Sequence, residues 1–235
     1  MHKPIALIIA LAGCDGCGNG SHNDAAVIDI DNASCGDQVH FTGEYVDWDT
    51  DRSFCGIADA VVEVAGGGGM DSTAPNGRFD LCIPNQATTK LTVMQPGAPS
   101  QCSNPISTYA VSTMLFANRE VILAGGFFSG RAFTVARQDT FYQGAGLTFD
   151  AAKAQLFVHV NGTPKPVAIA ATHGATQAVS TTTWAAGDTG HDVFFPNVDI
   201  GTGTTTITVT GGSVTGGANV PLLAGTITNV SIIVH

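Results

Sequence analysis

Apolar and polar residues alternate over short stretches of this chain, and turn-forming residues separate the stretches. Val39 to Val46 alternates, and Ala60-Val61-Val62-Glu63-Val64 is rich in β-branched residues. Four glycines, Gly66 to Gly69, break that run. Pro75-Asn76-Gly77-Arg78 reads as a turn, because an Asn-Gly pair tolerates positive φ. Phe79-Asp80-Leu81-Cys82-Ile83 then puts Phe79, Leu81 and Ile83 on one face, Pro84 to Thr88 turns the chain, and Leu91-Thr92-Val93 pairs back. Short period-two runs bounded by turn signals predict the strands of a β-sandwich.

The second half repeats the theme. Leu156-Phe157-Val158-His159-Val160 leads through Gly162-Thr163-Pro164 to Val167-Ala168-Ile169-Ala170. Val193 to Val198, Thr204 to Val209 and Val230 to Val234 follow as further strands. Between the halves, Tyr109 to Leu123 is expected to hold two strands. Arg131 to Tyr142 is loosely helical in its apolar spacing and predicts a short helix. Asp150-Ala151-Ala152-Lys153 suits a single turn capped by Asp150. The expected fold class is all-β, with two transthyretin-like or Ig-like sandwiches in tandem and a short helix in the join. The expected domains are residues 37–148, with an insertion and a C-terminal extension, and the cysteine-free residues 150–235. The spacing between corresponding strands, about 110 residues, suits a duplicated domain and not a solenoid, whose period is roughly 20–50 residues.

Several segments of the first half match a known pattern. Gly43-Glu44-Tyr45-Val46-Asp47, Ala58-Asp59-Ala60-Val61-Val62-Glu63-Val64, Asn76-Gly77-Arg78-Phe79-Asp80-Leu81 and Leu91-Thr92-Val93 together resemble the carboxypeptidase regulatory-like domain. That resemblance covers residues 39–95 and implies a transthyretin-like sandwich of about seven strands. The insertion Asp49 to Cys55 departs from it, since a shorter polar link is usual there. The second half looks like a diverged copy.

The N-terminal residues carry a different kind of signal. Lys3 is followed by an uninterrupted apolar run from Ile5 to Ala12, then by Gly13 and Cys14. A basic start, a short apolar core and a small-residue exit describe a secretory signal peptide, here residues 1–13. The run is too short to cross a bilayer as a helix, which needs about 20 residues. Leu11-Ala12-Gly13-Cys14 resembles the lipobox of bacterial lipoproteins, which implies cleavage before Cys14 and acylation (palmitate among the chains) of that cysteine. Each buried methylene contributes about 0.8 kcal/mol, so two or three chains anchor stably where one would not. Residues 14–36 then form the lipidated cysteine and a flexible tether. Asp15 resembles the inner-membrane retention signal of enteric bacteria, a rule that is not general, so inner and outer membranes both stay open. The expected address is the bacterial cell envelope, lipid-anchored on the periplasmic or the surface side.

Charge narrows the partners. The chain has 9 Lys and Arg against 19 Asp and Glu, a formal net charge of −10. Cleavage after Gly13 removes Lys3 and no acid, which takes it to −11. So few cations offer no phosphate-neutralising patch, which excludes nucleic acid as a partner. The bilayer, reached through acylated Cys14, and an envelope protein or a carbohydrate are the partners left.

Six cysteines are present. With Cys14 assigned to lipid and Cys17 odd in the tether, Cys35, Cys55, Cys82 and Cys102 are candidates for two disulfides in an oxidising compartment, with three pairings open. A zinc site fails on spacing, because Cys14 to Cys17 is the sole C-x-x-C.

Catalytic signatures are missing. Ser129 in Gly126-Phe127-Phe128-Ser129-Gly130 is misplaced for a nucleophile elbow, and no H-E-x-x-H, Walker or dinucleotide motif occurs. Among seven histidines, His40 and His159 fall in strands, as exposed or satisfied imidazoles. His173 and His191, with Asp188 and Asp192 beside the latter, are metal candidates. Asp47, Asp49 and Asp51 form an acidic string with oxygens for calcium, but Arg52 and Ala58 exclude an EF-hand loop. Trp48 and Trp184 lie in polar loops, where a ring either stacks on a sugar or packs against the sandwich. The fold resemblance, which extends to starch-binding-like modules, supports the sugar. The residues together predict a non-catalytic envelope lipoprotein with a structural or binding role and no cofactor. A carbohydrate-binding module using Trp48 or Trp184 is one alternative, and a metal-dependent enzyme using His173, His191 and nearby aspartates is another.

Overall fold

A computed structural model of the chain describes residues 35–48, 55–96, 108–109, 112–179 and 183–235. Cys14, Cys17, Cys102, Asp49 and Asp51 lie outside them. Among the described residues the protein is all-β apart from two short helices. In the first half the strands are β1 (Val39–Asp47), β2 (Val61–Val64), β3 (Met70–Ser72), β4 (Arg78–Ile83), β5 (Thr88–Met94) and β6 (Ser112–Asn118). Helix α1 (Arg119–Leu123), β7 (Phe128–Ala132) and helix α2 (Val135–Gly144) complete it. The second half holds β8 (Ala154–Asn161), β9 (Val167–Ile169), β10 (Gln177–Val179), β11 (Trp184–Ala186) and β12 (Asp192–Val198). After these come β13 (Thr204–Thr205), β14 (Ile207–Val209), β15 (Val214–Thr215), β16 (Val220–Pro221) and β17 (Thr226–Val234).

Alternation explains the first core. Phe41 and Tyr45 of β1, Phe79, Leu81 and Ile83 of β4 and Phe128 of β7 pack against Val62, Leu91, Val93 and Leu115 of the facing sheet. The near sheet has the order β4-β1-β7, with β7 parallel to β1. The Asn76-Gly77 turn that launches β4 is tightly built. Gly77 has φ +77, and a Cβ there would meet the Tyr45 carbonyl at 2.2 Å and Gly56 Cα at 2.9 Å, so only glycine fits. Cys35 is disulfide-bonded to Cys82, which fixes the start of the described chain to β4. Cys55 is disulfide-bonded as well.

The two halves share a sheet. Its ten strands run β11-β10-β12-β8-β17-β6-β5-β2-β3, with β15 also on β17. The first part of β17 pairs parallel to β6, from Thr226 opposite Ser112 to Val230 opposite Phe116. Its other edge pairs parallel to β8, from Ile227 opposite Gln155 to Ile233 opposite Asn161. The boundary expected between residues 148 and 150 therefore does not divide the strands into two separate sheets. The second core gathers Leu156, Val158, Val193, Phe195, Val230 and Ile232, with β9, β14 and β16 closing over it.

Other expectations change in detail. Among the described residues from Tyr109 to Leu123 there is one strand, β6, and α1 follows it because the Asn118 side chain accepts from the Glu120 and Val121 N–H groups. The helix expected from Arg131 starts only at Val135, capped by Thr134, since Arg131 and Ala132 pair with Val46 and Asp47. Thr204 to Val209 splits into β13 and β14, which pair with β16 and β9 respectively. The last strand begins at Thr226 instead of Val230.

Candidate functional site

Polar residues that alternate with the core positions of β7 meet the second half. Phe128 and Ala132 face the first core, whereas Ser129 and Arg131 turn toward β17, β8 and β12. The Arg131 N–H donates to Asn229 Oδ1 at 2.9 Å, and the Ser129 N–H to Ser231 Oγ at 3.4 Å. Nε and Nη2 of Arg131 both donate to Asp192 Oδ2, at 3.1 and 2.6 Å. The other oxygen, Asp192 Oδ1, lies 2.7 Å from His159 Nδ1. Nη1 of Arg131 donates to the Trp48 carbonyl at 2.8 Å, and Ser129 Oγ donates to Glu44 Oε1 at 3.0 Å. Ser129, His159, Asp192, Arg131 and Glu44 are all buried. Charges held this far from water persist when paired and hydrogen-bonded. The geometry makes this network a brace between the halves, with its serine committed to Glu44.

Beyond the brace lies an aromatic cluster contributed by both halves. Trp48 stacks on Phe133, ring centroids 3.6 Å apart, and on Trp184 at 4.7 Å and 12°. Phe141 and Phe194 meet the Trp48 ring edge-on. The Trp184 Nε1–H donates to the Trp48 carbonyl at 3.2 Å, the same oxygen that Arg131 holds.

Trp184 also lines an open groove of about 570 Å³ between α2 and the β10–β11 hairpin. Arg137, Thr140 and Phe141 form one wall, Gln177 and Ala186 the other. The hairpin is in register from Gln177 opposite Ala186 to Val179 opposite Trp184, which sets the indole on the edge strand of the sheet. The Arg137 guanidinium lies over the Phe141 ring, 5.5 Å from its centroid. The groove thus offers a partly exposed ring, one guanidinium, an amide and a hydroxyl. Such a mixture of apolar floor and few polar groups is the usual make-up of a small-ligand site.

The sequence candidates fall in separate places. Trp48 is 0 % exposed, so it packs and offers no face to a ligand, which corrects the sugar-stacking expectation for that ring. Trp184 lines the groove. Asp47 is buried at the end of β1, and its carbonyl accepts from Arg131 at 3.4 Å. His173 Nδ1 lies 2.7 Å from the Gly174 carbonyl, its ring against Phe195, and His191 Nδ1 lies 3.3 Å from the Val160 carbonyl. Asp192 is engaged by Arg131 and His159. Among the described residues no group of three His, Cys, Asp or Glu side chains converges as a metal site. His40 pairs with Asp80 at 2.5 Å, as His159 does with Asp192. Sequence reasoning missed the brace, although a lone arginine inside the apolar run from Phe127 to Val135 marks it.

No protein-family model, curated protein or solved structure matches the chain, so its own geometry carries the functional reading.

Proposed function

We propose that this chain is a non-catalytic lipoprotein of the bacterial cell envelope, anchored through acylated Cys14, whose folded part binds a ligand in the Trp184 groove. The observation that carries binding is the preset ring. Trp184 is fixed by a stack on buried Trp48 and by a hydrogen bond to the Trp48 carbonyl, yet keeps one side toward the groove. An aromatic surface rigid before binding loses little entropy on contact. A carbohydrate is the ligand class that this ring favours, since a partly exposed indole with Gln177 and Thr140 in the same groove suits the apolar face and the hydroxyls of a sugar.

The fold belongs to the same reading. In each half a first strand lies between an antiparallel strand and a parallel last strand, β4-β1-β7 in one and β12-β8-β17 in the other. That repeated arrangement supports two transthyretin-like sandwiches, related to the carboxypeptidase regulatory-like domain and fused along β6 and β17.

Two experiments test the proposal. Wild-type protein incorporates labelled palmitate and partitions into detergent, whereas Cys14→Ser does neither; equal labelling of both removes the anchor. Trp184→Ala loses retention on a glycan array while the chain stays folded, with a melting temperature lowered by the lost stack on Trp48 but less than in Trp48→Ala. Trp48→Ala lowers stability outright by about 3–5 kcal/mol, the cost of emptying a core aromatic site. A Trp184→Ala variant that keeps its binding removes the groove.

A further inference from the structure

One surface loop without charge carries two exposed apolar side chains. From Val121 to Gly130 there is no charged residue. Val121 and Phe128 are buried, but between them Leu123 is 52 % and Phe127 39 % exposed. The loop is ordered by its own hydrogen bonds. The Gly126 N–H donates to the Val121 carbonyl and the Gly125 N–H to the Ile122 carbonyl, each at 2.9 Å. Both peptide groups of Phe127 are taken by one side chain: its N–H donates to Asn161 Oδ1 at 2.9 Å, and its carbonyl accepts from Asn161 Nδ2 at 3.0 Å. The N–H groups from Ala124 to Phe127 all have protein acceptors, so the tip can leave water without stranding these donors.

The fold puts this tip at the end where the chain enters. Cys35 is tied to Cys82, which sits opposite His40 near the start of β1. The parallel register sets Phe128 beside Gly43, so the loop before β7 runs along the N-terminal half of β1. Four residues of strand, about 13 Å, separate the level of Val39 from that of Gly43. Twenty residues lie between Cys14 and Cys35, and the tether that their sequence predicts would reach about 25 Å on average. An anchor on Cys14 thus holds this end of the molecule within contact distance of the headgroups.

We propose that the Leu123–Phe127 tip docks on the bilayer that carries the anchor, with both side chains entering the boundary between headgroups and acyl chains. The inference rests on the lipoprotein reading. Two apolar side chains bind a membrane weakly when free in solution, and the tether supplies the local concentration that makes the contact persistent. The tip carries no charge, so it meets anionic lipid without the repulsion that acidic residues of a chain with a formal net charge of −10 would add. Leu223, 46 % exposed, lies just before β17 at the opposite end of the sheet and serves as the control.

The test uses the full acylated chain in phosphatidylcholine vesicles whose acyl chains are brominated. Leu123→Trp and Phe127→Trp each add an indole at the tip. Its emission, above the background of Trp48 and Trp184, is mostly quenched by brominated lipid and unaffected by plain lipid. Leu223→Trp stays bright in both. Palmitate incorporation is read on the same samples. A chain without palmitate overturns the anchor, and this proposal with it. An acylated, vesicle-bound chain whose tip indoles stay bright overturns the docking alone and leaves the tip to a protein partner. Quenching at Leu223→Trp in place of the tip reverses the orientation and overturns it too.

Discussion

Burial sets the proton affinity of two tyrosines. Tyr45 donates to Thr113 Oγ1 at 2.9 Å, and Tyr142 donates to Gln155 Oε1. Both phenols lie inside the protein, and desolvation pushes each well above the usual tyrosine value of 10.0. For Tyr45 the hydrogen bonds to Thr113 and Gln95 offset part of that rise. The native state therefore keeps protons that the unfolded chain gives up. Their stabilisation is complete below about pH 10 and is lost as pH climbs from there toward the raised native values. Urea unfolding followed from about pH 8 to about pH 11 should show stability falling above the unfolded tyrosine pKa. Tyr45→Phe and Tyr142→Phe should each flatten that fall, while leaving Thr113 or Gln155 short of a partner at neutral pH. An alkaline limb unchanged in both variants would mean that the rings ionise in place.

At the scale of elements, β7 and β12 are held together by a bridged carboxylate. Asp192 takes the Arg131 guanidinium on one oxygen and the His159 imidazole on the other, and the same guanidinium holds the carbonyl of Trp48. Arg131→Met should cost about 3–5 kcal/mol, because it removes the guanidinium that pairs with buried Asp192. Adding Asp192→Leu should recover part of the loss, since a well-packed apolar pair no longer strands a charge. The measurement is chemical denaturation of the two variants, and a double variant weaker than Arg131→Met would refute the argument. This brace was beyond sequence reasoning because it joins residues 61 positions apart. Strands β1, β2, β4, β5 and β8 were legible, since each has a face that follows a core, and Phe79, Leu81 and Ile83 show it directly. The first half of β17 was not. Thr226, Thr228 and Asn229 look like turn residues, yet all three are buried: Thr228 donates to the Pro221 carbonyl at 2.9 Å and Asn229 accepts from the Arg131 backbone. Partners supplied by distant strands let polar side chains sit where a period-two reading demands apolar ones. The groove was half legible. Trp184 stands out by its type, but α2, which walls the site, meets the β10–β11 hairpin only in the folded chain.

For the whole molecule, the decisive feature is that β17 is the common neighbour of β6 and β8. Each half has its own apolar core, and the aromatic cluster draws Trp48 from one and Phe157 and Phe194 from the other. Pulling the halves apart would break the parallel ladder on β6, expose the cluster and strand the Arg131–Asp192 pair. Those costs exceed what either core spends in letting its neighbour go, so calorimetry of the full chain should give a single cooperative transition. The disulfide offers the probe. Cys35–Cys82 closes a loop spanning a sequence separation of 47, for which chain entropy gives about 4 kcal/mol. Cys35→Ser combined with Cys82→Ser removes it without leaving a free thiol. In a coupled molecule of this size the one transition should move down by on the order of 10 °C, even though every cysteine lies in the first half. Two transitions, with the lower one alone shifted, would mean that the halves melt independently and that the β6–β17 ladder joins them without coupling them.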